Sequence, residues 1–257
     1  DLHRVDRRQR QMCIRDSFTS CTSGYCLLSG HFLLSRPIAP SGNDQVEPTY
    51  LYGSTQHGER EIHHGVEFKN DLGTPVLAAA EGVVIVAGTD ELEVYGPKNN
   101  FYGQLIVLEH DFAELDKPLY TLYAHLSHIA VHTGDKVKRG QMIGRVGMSG
   151  IALGYHLHFE VRSGQNTYAN TRNPELWLKP SLDASNQPCG ALSGRIVDLQ
   201  GTPMRVARIV LHPLGISTSG LPITLETYDD QSMARTDLAI NQRPEDMAIV
   251  PLSLIHI

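Results

Sequence analysis

Strict alternation of apolar and polar residues marks the middle of the chain. Tyr155–Arg162 (YHLHFEVR) places His156, His158 and Glu160 on one face and Leu157, Phe159 and Val161 on the other. Gln104–His110 (QLIVLEH) and Leu119–Leu126 (LYTLYAHL) read as two further strands. Thr74–Gly88 (TPVLAAAEGVVIVAG) contains two apolar runs broken at Glu81-Gly82, which predicts a hairpin. Gly134-Asp135, Gly140-Gln141 and Gly147 then punctuate short strands such as KVKRG and MIGRVG. No stretch carries long helical periodicity, so residues 63–162 are expected to form a compact all-β unit. Residues 36–62 are rich in Pro, Gly, Ser and Asn and predict a long ordered loop with at most short strands. Asn173–Pro180 (NPELWLKP) reads as a closing segment with Trp177 as a lid on the core.

The ends differ in character from this middle. Residues 1–17 are basic and unpatterned, and their QMCIRDS string resembles translated sequencing-adaptor read-through. The closing residues 253–257 (SLIHI) resemble the same kind of scar. Asp1 stands where a methionine is expected, so the sequence reads as a fragment that has lost any native signal peptide. The expected organisation is a non-native tail over 1–17, a linker remnant over 18–35, one domain over 36–180 and a polar linker over 181–190. A truncated β-sandwich segment over 191–252 and a second non-native tail over 253–257 complete it. Residues 190–214 place two strands around the turn Leu199–Pro203 and are similar to the first hairpin of carboxypeptidase-regulatory-like β-sandwich modules.

Charge and composition narrow the function. A globular 41% hydrophobic content, 22 basic against 28 acidic side chains and a net charge of −6 argue against a nucleic-acid binder. No run of about 18 apolar residues is present to span a membrane. The four cysteines (Cys13, Cys21, Cys26 and Cys189) read as ordinary thiols, because the Cys21–Cys26 spacing alone is a weak metal signal. Histidine is the outlier: 13 are present, nine of them between His57 and His158. Two imidazoles on one face of an apolar strand are costly to bury unless each bonds to something. Neutral imidazole nitrogen plus a carboxylate oxygen is a donor set that suits zinc with one position open to water.

Three motifs stand in order: His63-His64-Gly65-Val66-Glu67, Tyr123-Ala124-His125-Leu126 and His156-Leu157-His158-Phe159-Glu160. With Gly73–Val76, Ala79–Val84, Tyr102-Gly103, Val137–Gly144 and Val146–Gly150, they make residues 36–180 resemble the LytM/lysostaphin-type zinc metallopeptidases, the family with a duplicated hybrid motif. The resemblance implies a compact barrel-sandwich-like catalytic domain. It implies zinc held by His63, Glu67 and His158, with His125 and His156 as catalytic imidazoles. His156 would move the water's proton, and His125 would donate a hydrogen bond to the developing negative charge. The substrate implied is the peptide portion of bacterial peptidoglycan, which places the protein in the cell envelope or outside the cell. One position departs from the motif: Glu67 stands where the family has aspartate, and its extra methylene carries the carboxylate about 1.5 Å further. His64 is expected to point elsewhere, and His110 to be a core or outer-shell histidine.

Other readings are weaker. A catalytically weak or inactive LytM-like domain that regulates cell-wall hydrolases is the alternative, although four of the five implied positions are intact. A biotinyl- or lipoyl-type carrier fits GDKVKRGQMIGRVG, but Val137 follows Lys136 where a carrier motif needs methionine or alanine, and a carrier leaves the histidines unexplained. A serine hydrolase is excluded, since Ile151 occupies the last glycine position of G-x-S-x-G.

Overall fold

The computed structural model describes residues 32–179, except Glu114 and Asp116, and outside that stretch five strands and the turn at 199–200. The chain divides into two compact units, Leu33–Ser181 and the combined Asp1–Phe32 and Leu182–Ile257. In the second of these, β1 (Cys26–Leu27), β12 (Gly190–Ser193) and β15 (Ile249–Leu252) form an antiparallel sheet, and β13 (Arg208–Leu211) pairs with β14 (Ile223–Glu226). The hairpin expected around Leu199–Pro203 lies mostly outside the described residues. Its second strand, where described, pairs with β14. Cys13, Cys21 and both expected non-native tails also lie outside them, as does Cys189.

The Leu33–Ser181 unit is built from two antiparallel sheets. The larger contains β11 (Thr171–Arg172), β10 (His156–Ser163), β6 (Leu119–Ala124), β5 (Gln104–His110), β4 (Gly82–Thr89) and β8 (Lys136–Val137), in that order. A seventh strand, β2 (Val66–Lys69), pairs with the free half of β10. The smaller sheet is β3 (Pro75–Leu77), β9 (Met142–Val146) and β7 (Leu126–Ile129). Register sorts the side chains. Leu157, Phe159, Tyr123, Ile106 and Phe68 share one face, and all are fully buried. His158, Glu160, Ala124, Leu122, Leu105 and Val107 share the other. There, Leu105, Val107, Leu122 and Ala124 pack with Tyr102 into a second apolar cluster. Both faces of β5 are covered, which is why its sequence is a continuous apolar run rather than an alternating one.

Two expectations need correction. The runs around Glu81-Gly82 do not form a hairpin: β3 pairs with β9, whereas β4 pairs with β5 and β8. Ala78–Ala80 between them are buried, and Ala78 bonds Gln141 and Gly140, so the chain crosses from one sheet to the other there. Leu119–Leu126 is likewise not one strand. It breaks at His125, whose φ of 60° turns the chain from β6 in the large sheet into β7 in the small one. Alternating apolar patterns do not show a strand that changes sheets, because the residues on either side of the break are buried equally well. His110 is a core residue: its Nδ1–H donates to the Glu81 carbonyl at 2.6 Å, and its Nε2 pairs with the Thr121 hydroxyl at 2.8 Å.

Residues 36–62 form the expected loop, tied down at its start by a bridge between Ile38 and Val76. The closing segment returns to the start of this unit: Leu34 pairs with Leu178, and Trp177 is only 4% exposed. Beside it, burial raises the Glu175 carboxyl to about 7 against the opposing pull of Arg36.

Two outcomes follow from this packing. A folded-state pKa above the unfolded one means that Glu175 contributes stability below about 4.5 that is lost as pH rises through about 7. Thermal midpoints at pH 5 and pH 8 should therefore draw closer together in Glu175→Gln; an unchanged gap would rule out Glu175 as its source. At Gly65, an added Cβ would lie 2.5 Å from the Phe159 carbonyl and 2.8 Å from the His158 ring, whereas at Gly88 it would meet nothing. Denaturant unfolding should show Gly65→Ala destabilised by about 1–3 kcal/mol and Gly88→Ala close to wild type. Equal stability of the two variants would contradict the close fit of β2 against β10.

Candidate active site

Register assembles the first half of the site. His158 of β10 lies directly opposite Glu67 of β2 and Ala124 of β6. Cross-strand partners share a face, so Glu67 and His158 project to the same side, and a one-residue slip would send Glu67 into the core. His63 precedes β2 and is held by the loop before it: its N–H donates to the Ser54 carbonyl, and its own carbonyl accepts from Gly53. His125 enters from the β6–β7 break, and His156 opens β10. The four histidines are 4–7% exposed and line one cleft of about 970 Å³ together with Glu67.

Each ring's outer partner fixes its tautomer. A carbonyl can only accept, so the ring nitrogen facing it carries the hydrogen. His63 Nδ1 donates to Tyr50 O at 2.7 Å, His125 Nδ1 to Ser149 O at 2.8 Å, and His156 Nδ1 to Gly154 O at 2.9 Å. Each therefore has its lone pair on Nε2. His158 is reversed: its Nε2 donates to Glu160 Oε1 at 3.1 Å, leaving the lone pair on Nδ1. Burial pushes Glu160 up, but Arg162 and the hydrogen bonds from His158 and Tyr102 outweigh it and lower the carboxyl to about 2. Glu160 is thus a carboxylate and accepts from both neighbours.

The consequence is a pair of bare lone pairs. His63 Nε2 and His158 Nδ1 face each other at 3.2 Å. In the singly protonated rings that these outer contacts select, both remaining lone pairs face the gap, an arrangement that suits a cation. Burial, aided by His158, pushes His63 well below the usual imidazole range, so protonation is disfavoured. Two ligands of a tetrahedral zinc with bonds of about 2.0–2.1 Å stand about 3.4 Å apart, close to the observed separation. Glu67 Oε1 is 4.0 Å from His63 Nε2 and 3.7 Å from His156 Nε2. Among the described residues, no three His, Cys, Asp or Glu side chains are already set as a complete metal shell. The donor types and the paired imidazoles nevertheless fit zinc, and Glu67 is the carboxylate that would complete the set.

His125 and His156 lie beside this pair, their ring centroids 4.9 Å apart, and His125 is 5.7 Å from His158. Burial, reinforced by His158 and His156, lowers His125 to about 3, and burial also lowers His156 against the opposing charge of Glu67. Both rings are therefore neutral acceptors toward the cleft. A hydrogen bond from His125 to an oxyanion, implied by the family resemblance, is open only to its protonated form. His64 also lines the cleft, but its ring bonds Thr171 and stacks on Tyr168; His128 and His132 are exposed.

The sequence reading missed the groups that aim these rings. Tyr102 donates to Glu160, and Arg162 Nε donates to Glu160 Oε2 at 2.8 Å. Asp90, fully buried, accepts from the backbone N–H groups of Phe101, Tyr102 and Gly103 at 2.7–2.9 Å. That turn in turn receives the His125 N–H at the Tyr102 carbonyl. Gly103 and Gly150 meet backbone to backbone, and a Cβ on either would lie 2.4–2.5 Å from the other's nitrogen. The alternation of His156, His158 and Glu160 was the available signal for Glu160. Nothing in the local pattern marks Asp90 or Tyr50.

The chain is similar to known proteins. Residues 61–171 match the model of Peptidase family M23. The DD-carboxypeptidase/endopeptidase Mpg of Neisseria meningitidis is 31% identical over 188 residues, covering 67% of this chain and 40% of the relative. Lysostaphin of Staphylococcus staphylolyticus is 35% identical over 118 residues, covering 46% and 22%. The catalytic domain of lysostaphin from Staphylococcus simulans is a structural neighbour at TM-score 0.41 and 28% identity, over 51% of this chain and 89% of that one. The chain thus spans less than half the length of the curated relatives named here. His63, Glu67, His125, His156 and His158 all fall within residues 61–171, the part of the chain that matches Peptidase family M23.

Proposed function

We propose that this protein is a zinc-dependent endopeptidase that hydrolyses peptide bonds of bacterial peptidoglycan, working in the cell envelope or outside the cell. The observation that carries the reading is the facing pair of imidazole nitrogens, His63 Nε2 and His158 Nδ1, at 3.2 Å. Relatives named peptidoglycan DD-endopeptidase and glycyl-glycine endopeptidase support the substrate class. No helix among the described residues is long and apolar enough to cross a membrane.

His63, His158 and Glu67 would hold the metal. When bound, zinc lowers the pKa of a coordinated water to about 7 and polarises the substrate carbonyl. His156 takes a proton from the attacking water at Nε2, since its Nδ1 is committed to Gly154. It returns that proton to the leaving amine. His125 also starts with a lone pair at Nε2, so it accepts a hydrogen bond first and donates one only after gaining a proton. Its carbonyl partner, Ser149, keeps the ring turned to the cleft in either state. Tyr50, Tyr168 and Ile151–Tyr155 line the cleft and would flank a peptide bound there. Retention of four buried histidines around one cleft favours hydrolysis over the regulatory alternative.

Elemental analysis and digestion of purified peptidoglycan test the assignment together. His63→Ala, His158→Ala and Glu67→Ala should lose zinc and activity, and Glu67→Asp should keep both. His125→Ala and His156→Ala should keep zinc while turnover falls by about 10²–10⁴-fold. Zinc loss in His156→Ala would make that residue a ligand and overturn its proton-transfer role. Full zinc in Glu67→Ala would remove the carboxylate from the metal site.

A further inference from the structure

The loop that precedes the M23 match does more than enclose the cleft. Tyr50 touches His63 in two ways. Its carbonyl accepts the Nδ1–H at 2.7 Å, and its ring lies parallel to the imidazole, with centroids 4.1 Å apart and planes 4° apart. The tyrosine is itself fixed. Its hydroxyl donates to the Glu61 carbonyl at 2.5 Å, and the Arg60 guanidinium covers its ring at 4.9 Å. The phenol ring is thus in contact with both a guanidinium and the imidazole. Residues 53 and 54 add the two backbone bonds to His63.

His63 lies before β2, where no sheet register constrains it, unlike Glu67 and His158. A ring there needs both its plane and its tautomer set by neighbours. The carbonyl contact sets the tautomer and directs the Nε2 lone pair toward His158. The parallel stack removes rotation about the last side-chain torsion, which is otherwise broad for an imidazole. We propose that Tyr50 is a positioning residue for His63, which holds the imidazole in the plane and tautomer that a zinc ion requires. The inference rests on the zinc reading given above. Partners of this kind, which orient a ligand from outside, typically change metal affinity by 10–100-fold when removed.

Zinc affinity, measured by competition with a chromogenic chelator, separates the possibilities without reference to activity. The visible spectrum of the cobalt-substituted protein reports ligand geometry alongside it. Tyr50→Phe keeps the stack and the carbonyl, and should bind zinc within about threefold of wild type. Tyr50→Leu removes the ring, and should bind about tenfold more weakly or worse and give an altered cobalt spectrum. Tyr50 is half-buried in a loop, and Tyr50→Met supplies a second ring-free side chain should the leucine variant fail to fold. Wild-type affinity and spectrum in either folded ring-free variant would overturn the role of Tyr50, even though His63→Ala abolishes binding. Equal zinc binding by wild type and His63→Ala would overturn the zinc reading itself.

Discussion

A buried carboxylate organises the centre of this domain. Glu160 is fully buried on β10 and stays ionised because Arg162, also fully buried, lies against it at 2.8 Å. Two charges taken from water cost several kcal/mol each unless their hydrogen-bonding capacity is met. Here it is met: Glu160 accepts from Arg162, Tyr102 and His158, while Arg162 also reaches the Tyr95 carbonyl at 2.9 Å and Asn166 at 3.0 Å. Because Glu160 accepts and cannot donate, His158 must place its hydrogen on Nε2. The orientation of His158 then leaves its other nitrogen facing His63. One ion pair thus dictates which nitrogen of His158 carries the hydrogen.

The two faces of the large sheet divide the labour. The face carrying Leu157, Phe159, Tyr123 and Phe68 is apolar and supplies cohesion. The other carries Glu67, His158, Glu160 and Arg162 toward the cleft, with the Tyr102 cluster sealing what remains. Strand pairing makes this arrangement rigid, since β2, β10 and β6 are tied by their ladders. The other imidazoles come from places where regular structure ends. His63 lies before β2, and His125 sits at a left-handed backbone position that costs on the order of 1–3 kcal/mol for a non-glycine residue. Asp90, the Gly103–Gly150 contact and the His125 N–H bond to Tyr102 hold that conformation in place.

Much of the unit was legible from local pattern. The alternation over Tyr155–Arg162 assigned a strand and its two faces, because period two in a half-buried strand follows from backbone geometry alone. The apolar run Gln104–His110 announced a strand. The long loop over 36–62 followed from its proline and glycine content. The expected hairpin at Glu81-Gly82 and the unbroken strand through His125 were not found. In both places the chain passes from one sheet to the other, and hydrophobicity is the same whichever sheet a residue joins.

The sequence by itself determined the donor types at the site, their order along the chain and the face on which His156, His158 and Glu160 lie. Those features depend on side-chain chemistry and on a repeat of two residues. Only the tertiary structure decided which ring nitrogen of each histidine is bare, because that choice belongs to acceptors distant in sequence: Tyr50 for His63, Ser149 for His125 and a charge-held Glu160 for His158. It also decided that Glu67 stands opposite His158, since strand register is a pairing of two segments and is written in neither alone.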